Sequence, residues 1–353
     1  MNEKRKAVRA YHRNLVLILG LLLAVFLLIP AFVTTPYILN IFILVFYMST
    51  LSMAWNLLGG MTGQNSLGHA AYMGLGAYAS CILITNAKVN PWLAAILGMV
   101  MVGLVAGFIF YPCFILRGPY FTLVSIAFGE AMRQFIINSS FFGRASGIGL
   151  PFGRDSWADF RFASKVPYYY VGLAMLLLVY LLMKGIEKSR MGYALRTIRE
   201  DEDAAAAIGI NPTRYKIMAV VVSAMVAGLV GFFYASYIRY IDPELMILSK
   251  SVESVLPAVV GGAAFVEGPL VGGLIMIPLS EFLRANYSKI LPGINMLMYA
   301  VILLVVIRFR PTGILGWYMN SRAKRWFDEK ILRKPPVDVL EEVEMDRYKG
   351  KEA

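Results

Sequence analysis

The segment from Asn14 to Val33 reads NLVLILGLLLAVFLLIPAFV and contains no charged side chain. A bilayer core about 30 Å thick needs about 20 mostly apolar residues for a spanning helix, which is the length of this segment. Pro30 lies near its end, where a missing backbone N–H matters least. A basic head precedes the segment, as in a secretory signal peptide, but the apolar run is long and no small-residue cleavage site follows it. We therefore predict a retained first membrane helix.

The composition of the whole chain agrees with this interpretation. Of its 353 residues, 58% are hydrophobic and 16% are charged, whereas soluble domains average about 45–50% apolar and about 25% charged residues. The apolar content is too high for disorder, and two cysteines are too few for a disulfide scaffold. Apolar runs repeat along the entire length, which excludes a single soluble core. The sequence predicts an all-α fold, a polytopic transmembrane helical bundle.

Further candidate spans follow along the chain. The stretch Val252–Leu283 is long enough for two spans, but glycines interrupt its middle and Glu267 lies at the interruption. Two short crossing or re-entrant segments fit this stretch better than one bent helix. The uninterrupted candidates are Tyr37–Leu58, Ser66–Thr85, Pro91–Leu116, Tyr120–Asn138, Val166–Lys184, Ile217–Ile238 and Leu291–Ile307. The total is about ten crossings.

The positions of the basic residues predict the orientation, because short cytoplasmic loops carry an excess of Lys and Arg. The basic head, residues 1–13, is expected in the cytoplasm, and so are the loop 185–216 and the tail 308–353. Both termini inside require an even number of crossings. Ten satisfies this, and eight would follow if the Gly-rich stretch and one other segment did not fully cross. Residues 14–307 then form the transmembrane domain, with the loop 139–165 facing outward.

A few ionisable side chains lie within or at the ends of apolar runs. They are His69, Glu130, Arg133 and Glu281, and each costs roughly 2.5 kcal/mol or more at mid-bilayer. Glu130 and Arg133 are three residues apart, so they can pair on one helical face. We interpret them as a structural pair in preference to a relay. For His69, a capping or packing role is at least as compatible with the sequence as contact with a ligand.

The stretch Leu57–Ser80 reads LLGGMTGQNSLGHAAYMGLGAYAS and is unusually rich in glycine. Small residues allow helix backbones to approach closely. Glycines also permit an unwound segment whose backbone groups line a cavity, and Gln64, Asn65 and Ser66 supply the polar atoms for that use. Close packing is the commoner explanation, and both uses stay open at this point.

The loop 185–216 contains the most informative pattern, GYALRTIREDEDAAAAIGINP at Gly192–Pro212. Alanine is the best helix former, and Gly209 followed by Pro212 is a helix stop signal. The pattern predicts one or two short helices outside the membrane. Small side chains can fit a groove and charges can fix the register of a partner, so we predict a docking surface for a soluble protein.

These residues resemble a known family. Asp203-Ala204-Ala205 followed by Gly209 resembles the EAA loop of ABC importer permeases, with Asp where Glu is usual. The surrounding TIREDEDAAAAIGINPTRYKIMAVVVSAMVAG is similar to the version in branched-chain amino-acid ABC permeases. Four other stretches resemble further signatures of that family and recur in its order: Trp55–Ser80, Gly118–Phe135, Val259–Gly273 and Phe309–Gly316. The outward segment after Glu130 and the chain length resemble the M-type subunit.

The resemblance implies a machine with several partners. A second homologous permease, two ATP-binding subunits and an extracytoplasmic solute-binding protein would join this chain in a prokaryotic cytoplasmic (inner) membrane, to import leucine, isoleucine and valine. The chain has no G-x-x-x-x-G-K-[ST] motif, so ATP and Mg²⁺ are expected on the partner subunits and no cofactor on this chain. The implied ATPase-coupling residues are Arg196, Arg199, Glu200, Asp201, Asp203, Ala204, Ala205 and Gly209. Candidates for the translocation path are Gln64, Asn65, Ser66, His69, Tyr120, Glu130, Gly261 and Gly262.

Two departures bear on the substrate. The family usually has Gly-Thr or Gly-Ser where this chain reads Gly262-Ala263, and a Thr-Gly-Gly pattern where the outer loop reads GRASG at Gly143–Gly147. Other amino acids, urea or short amides are therefore alternative substrates within the same class.

Rival functions fit the sequence less well. An ion-gradient-driven secondary transporter suits the Gly-broken helices, and Glu130 could carry its proton, but such a carrier does not need the acid-and-alanine loop. A membrane enzyme is rejected, because two histidines and the separate Cys81 and Cys113 assemble no metal site or nucleophile set. Nucleic-acid binding is disfavoured, because the cations behind the net charge of +12 lie at the cytoplasmic ends and not in a stripe with aromatic residues.

Overall fold

A computed structural model describes residues 2–33, 35–115, 118–151, 155–287, 293–310, 312–321, 324 and 326. The chain divides into two compact units, residues 36–315 and residues 1–35 with 316–353. The described helices are α1 (Asn2–Phe32), α2 (Pro36–Gly59), α3 (His69–Thr85), α4 (Pro91–Phe110), α5 (Pro119–Asn138), α6 (Lys165–Glu187), α7 (Arg190–Glu200), α8 (Glu202–Ala207), α9 (Pro212–Ile238), α10 (Leu248–Gly261), α11 (Gly268–Tyr287), α12 (Ile294–Phe309) and α13 (Gly313–Met319). Two short strands, β1 (Ile148–Gly149) and β2 (Tyr240–Ile241), pair antiparallel.

Several of these helices have the length and composition of membrane spans. Within the described ranges, five helices are long and apolar enough to cross a membrane: α2, α4, α6, α9 and α11. Shorter apolar stretches, Gly20–Phe32 and Met296–Val306, lie within α1 and α12. The predicted all-α, polytopic membrane fold is confirmed. Most of the predicted tail 308–353 lies outside the described residues.

Polar caps and prolines fix where three of the long helices begin. The side chain of Asn90 accepts a hydrogen bond from the backbone N–H of Trp92 over 3.0 Å and so caps α4. Ser164 caps α6 in the same way, and Asn211 caps α9. Proline is the first residue of α4 and α9, where its missing N–H would have no helical partner in any case. These local signals explain why α4 and α6 begin at or next to the predicted positions, and why α9 begins at Pro212, before the predicted Ile217.

Other helix boundaries also differ from the predicted spans, and three of these differences have a local explanation. The third helix starts at His69 and not at Ser66, because the preceding residues are held by other helices, as described below. α4 ends at Phe110, six residues before the predicted Leu116, since a proline at position 112 disfavours continuation of the helix. α10 starts at Leu248, four residues before Val252, and its first turns contain an ion pair between Lys250 and Glu253.

Glycines bring α3 and α9 into backbone contact in the core of residues 36–315. A Cβ atom built on Gly76 would lie 2.3 Å from the carbonyl oxygen of Gly228, and one built on Gly231 would lie 2.0 Å from that of Met73. Neither position can hold a larger side chain without separating the helices. The packing use predicted for the glycines of 57–80 is therefore present at Gly76.

Contacts between loops define two opposite ends of the helices in residues 36–315. At one end, Arg199 Nη1 donates to the carbonyl of Gly60 over 2.7 Å, and Lys184 Nζ lies 2.6 Å from Glu267 Oε1. The end of α2, the end of α6, the helix α7 and the turn between α10 and α11 therefore meet here. We call this the α7 end.

The opposite ends of the helices meet at a second group of loops, which we call the β end. Trp92 Nε1 donates to the carbonyl of Trp157 over 2.8 Å, and Lys165 Nζ donates to that of Pro36 over 3.4 Å. The β1–β2 pair joins the loop 139–165 to the end of α9. The beginnings of α2, α4 and α6 thus lie opposite the α7 end, as alternating helix directions require.

Candidate functional site

The loop 185–216 folds into two short helices, as predicted. α7 begins at a Ser189 cap, whose side chain accepts from the backbone N–H of Gly192. Its residues Ala194, Leu195 and Ile198 are buried, and they follow the spacing of one helical face. α7 therefore packs on the bundle with this face and leaves its charged face exposed.

α8 is held in place by its first residue and by one buried alanine. Asp201 accepts from the backbone N–H groups of Asp203 and Ala204 over 2.9 and 3.0 Å, which makes it the N-cap of this helix. Ala205 is fully buried, and Gly209 has a φ of +89° just after the helix ends. The Asp201 carboxylate thus stabilises the helix, whatever partner binds to the loop.

Two large apolar side chains of this loop are exposed. Ile208 is 71% exposed and Tyr193 is 64% exposed, and the acids Glu200 and Asp203 are exposed as well. Ala204 also faces outward. We call these five residues the docking face. Exposed apolar groups together with carboxylates, on one loop, are the chemistry of a protein-binding surface.

The two arginines of α7 contact the chain itself. Arg199 donates to Gly60, as described above, and Arg196 Nη2 lies 2.9 Å from Glu187 Oε1 at the end of α6. Both were predicted from the resemblance to couple to an ATPase, and both attach α7 to the membrane helices. The sequence contained no local signal for either contact, since the Arg199–Gly60 bond joins residues 139 positions apart.

A buried lysine anchors α8 and was missed in the sequence. Lys216 Nζ lies 2.6 Å from Glu202 Oε2, and the lysine side chain is 1% exposed against 21% for the glutamate. Lys216 lies in the second turn of α9, just before the predicted span that opens at Ile217. From its position in the sequence, Lys216 resembles an ordinary charged residue that flanks a membrane span.

The segment between α2 and α3 is unwound, as one of the two predicted uses of its glycines requires. The carbonyl of Asn65 accepts from Thr122 Oγ1 of α5 over 2.7 Å, and the carbonyl of Ser66 accepts from Trp55 Nε1 of α2 over 2.7 Å. Gln64 and Ser66 are buried, whereas Asn65 is exposed. Side chains of neighbouring helices thus satisfy carbonyls that lack helical partners.

His69 lies in the packing between three helices. Its Nε2 is 2.7 Å from the Ser223 hydroxyl, which itself donates to the carbonyl of Ala54 over 2.6 Å. Because the serine proton goes to the carbonyl, the serine oxygen accepts from a protonated Nε2. The ring is fully buried and its Nδ1 has no partner. This geometry matches the packing role, one of the two uses predicted for His69, and its place in the translocation path stays a prediction.

Glu130 and Arg133 form the predicted pair, and they do so on an exposed face of α5. Arg133 donates through Nε and Nη2 to the two carboxylate oxygens of Glu130, over 2.9 and 2.6 Å, and Gln134 donates to Oε1 over 2.7 Å. The Glu130 side chain is 51% exposed. Asn138 and Tyr120 are exposed on the same helix. A shallow groove of about 330 Å³ beside the pair is lined by Ala131, Gln134, Phe135, Asn138 and Ser139.

The predicted glycine break separates α10 from α11. Gly262 has a φ of +118°, a conformation that favours glycine, and the turn returns the chain so closely that a Cβ on Gly261 would lie 1.8 Å from the Gly268 carbonyl oxygen. Both glycines are thus explained by backbone geometry at the α7 end. Glu267, at the end of the turn, pairs with Lys184.

The predicted site residues therefore form separate groups. The residues of the loop 185–216 lie at the α7 end, together with the glycine break and the unwound segment, whereas Glu130 lies on the exposed face of α5. Over the part of the chain that the structure describes, no three His, Cys, Asp or Glu side chains lie close enough to hold a metal ion.

Comparisons with known proteins agree with this architecture. The chain is 26% identical over 289 residues to the high-affinity branched-chain amino acid transport system permease protein LivM of Salmonella typhimurium, which covers 75% of this chain and 67% of the relative. The Escherichia coli LivM protein is 25% identical over the same shares. The corresponding LivH protein of E. coli is 31% identical over 131 residues, 37% of this chain and 41% of LivH.

The family profile extends over most of the membrane helices. The branched-chain amino acid transport system/permease component family matches residues 37–307, well over half of the chain and nearly the whole unit 36–315. Its members are transport components, and the helices described above make this chain a multi-pass membrane protein. The chain belongs to the family of permease components of branched-chain amino acid transport systems.

Proposed function

We propose that this chain is the M-type permease subunit of an ATP-driven importer of leucine, isoleucine and valine in a prokaryotic inner membrane. A homologous second permease, two ATP-binding subunits carrying ATP and Mg²⁺, and an extracytoplasmic binding protein complete the complex. The much longer similarity to LivM than to LivH supports the subunit type. The observation that carries the proposal is the docking face, because its exposed apolar and acidic residues suit the surface of a protein partner.

The α7 end is the cytoplasmic side in this proposal, and the chain crosses the membrane ten times. α2 to α6 and α9 to α12 alternate between the two ends, and α1 adds the tenth crossing, which places both termini inside. α10 has 14 residues and is about 21 Å long, which is shorter than a bilayer core. The segment 240–247, which includes β2, covers the remaining thickness of the bilayer core.

The exposed face of α5 lines the translocation path in this proposal. Glu130, Gln134 and Asn138 are polar, and polar side chains in a membrane helix turn away from lipid toward a partner or an aqueous cavity. An amino acid carries one ammonium and one carboxylate group. The paired carboxylate of Glu130 and guanidinium of Arg133 offer the complementary charges, and Phe135 offers apolar contact to a branched side chain.

The binding protein docks at the β end. A cleft of about 510 Å³ there is lined by residues of the loop 139–165 and of the α3–α4 connection, among them Lys88, Asp159 and Arg161. Charges of both signs around a cleft suit a charged protein surface, because complementary potentials fix the orientation of partners. Release of substrate at this end would place it on the outer half of the helices.

The complex and its energy source test the proposal directly. Co-expressed with a second permease and two ATP-binding subunits, the chain should co-purify with them, and proteoliposomes containing the complex and its binding protein should take up leucine only with ATP. Uptake by this chain alone, driven by a pH or sodium gradient, would contradict the proposal.

A substitution at the docking face tests where the ATP-binding subunits attach. We expect Ile208→Glu to weaken their binding about 30-fold, since a central interface side chain contributes about 2 kcal/mol or more. Ile208→Leu keeps an exposed apolar group and should bind normally. The measurement is titration of ATP-binding subunits onto the purified permease pair in nanodiscs. Equal affinity of the two variants would exclude Ile208 from the interface.

A second substitution tests the path on α5. Glu130→Gln removes the charge that would meet the substrate ammonium, so we expect the KM for leucine uptake to rise at least tenfold, as a hydrogen bond to a charged group contributes about 1.5–3 kcal/mol. Glu281→Gln is the matched control, because Glu281 forms the same type of pair with Arg284 over 2.7 Å on α11. If both variants change uptake equally, the path does not run along α5.

A further inference from the structure

The helix α7 is attached to both interruptions of the membrane helices, the unwound segment after α2 and the turn between α10 and α11. We propose that these two attachments make α7 a clamp that moves both interruptions together, and that Lys184, Glu187 and Glu267 are positioning residues for energy coupling. The inference rests on the proposed function, since a clamp needs a partner that moves α7.

The first attachment is a chain of alternating charges. Arg196 Nη2 lies 2.9 Å from Glu187 Oε1, and the other oxygen of Glu187 lies 2.9 Å from Lys184 Nζ. The same Lys184 nitrogen lies 2.6 Å from Glu267 Oε1, to which Tyr180 also donates over 3.3 Å. These groups come from α7, α6 and the turn before α11. Each charged group has a neighbour of opposite charge. Displacing one group therefore leaves the next one without an ion-pair partner.

The second attachment runs through the backbone. Arg199 Nη1 donates to the Gly60 carbonyl over 2.7 Å. Gly60 in turn packs against the turn between α10 and α11, because a Cβ atom built on it would lie 2.2 Å from the carbonyl oxygen of Ala263. Asn56 Nδ2 donates to the carbonyl of Phe265 over 3.0 Å and joins the same two segments. The two attachments therefore close a ring through α7, α2, the turn and α6.

The geometry of α7 makes the two attachments move together. Arg196 and Arg199 are three residues apart and so project from neighbouring positions on one rigid helix of 11 residues. α3 begins shortly after the unwound segment, and α11 begins directly after the turn. A push on the docking face therefore reaches α3 and α11 through named side chains, which is the contiguous network that coupling between distant sites requires.

The test is the amount of leucine imported per ATP hydrolysed by the full complex in proteoliposomes. We expect Glu267→Gln to lower this ratio roughly fivefold or more, the lower range of typical coupling effects, while ATP hydrolysis continues. Arg196→Gln should act similarly, and the double variant should be no worse than either single one, because both break one chain. Glu281→Gln, about 20 Å along α11 from the turn, should leave the ratio unchanged, alone or added to Arg196→Gln.

The outcomes separate this inference from the proposed function. If the Glu267→Gln complex assembles and hydrolyses ATP with an unchanged ratio, or if its effect simply adds to that of Arg196→Gln, the clamp is wrong and the proposed function stands. If the unaltered chain binds no ATP-binding subunits, the proposed function itself fails. Should Glu267→Gln not yield folded protein, Lys184→Gln breaks the same network of ion pairs at the partner of Glu267. Its effect is judged by the same ratio of leucine imported to ATP hydrolysed.

Discussion

Gly261→Ala will destabilise the membrane unit 36–315 far more than Gly185→Ala. The new Cβ atom would lie 1.8 Å from the Gly268 carbonyl oxygen and 2.8 Å from the Gly272 backbone nitrogen. Both neighbours are backbone atoms of α11, so the clash is relieved only by separating α10 from α11. Overpacking of a core costs typically about 1–3 kcal/mol and occasionally more, and contact with fixed backbone places this variant at the upper limit.

Gly185 provides the matched control, because a Cβ atom there meets nothing within 4 Å. Alanine inside a helix is favoured over glycine by about 0.5–1 kcal/mol, so Gly185→Ala should be neutral or slightly stabilising. Thermal unfolding of both purified variants, followed by size-exclusion chromatography, makes the comparison. A folded Gly261→Ala protein with normal stability and altered uptake would instead favour a direct role of Gly261 in the translocation path.

The parts of the fold that local sequence determines were predictable. Apolar length located the five described helices that can cross a membrane, and the glycines around Gly262 located the break, because both properties belong to short stretches of chain. In the loop 185–216, the helix α8 followed from an alanine run that ends before Gly209. In each case the deciding energy comes from residues within one or two turns of each other.

Contacts between distant residues were not predictable from the same signals. Lys184 and Glu267 pair across 83 positions of sequence, and His69 contacts Ser223 across 154. No periodicity selects such partners, since packing of whole helices decides which side chains meet. Arg199 shows the consequence: its hydrogen bond to the carbonyl of Gly60 was not foreseen, while its coupling to a partner protein stays a prediction.

The unwound segment shows an intermediate case. Its glycines and polar residues were compatible with either close packing or loss of helix, and the choice depends on groups from other helices. Thr122 and Trp55 supply the donors that the carbonyls of Asn65 and Ser66 need once the helix is interrupted. Unsatisfied backbone groups are costly inside a membrane, so without these donors the segment would favour a helix.

Glu202→Ala will release α8 from the bundle, because it leaves the buried ammonium of Lys216 without its carboxylate. Removing one partner of a buried ion pair costs about 3–5 kcal/mol, and the partial exposure of Glu202 favours the lower value. We expect a lower unfolding temperature, faster proteolysis of the loop 185–216 and loss of ATP-binding subunits from the complex.

The double variant Glu202→Ala with Lys216→Met separates structure from recognition. Methionine fills the space of the lysine stem without a charge, and apolar replacement of a buried ion pair is often neutral or stabilising. We therefore expect the double variant to recover the stability and the slow proteolysis of the unaltered chain.

If it also recovers binding of the ATP-binding subunits, Glu202 acts only by holding α8. If stability returns but binding does not, the Glu202 carboxylate itself contacts the ATP-binding subunit beside the docking face. No loss of stability in Glu202→Ala would mean that Lys216 reaches water and that α8 is anchored mainly by Ala205.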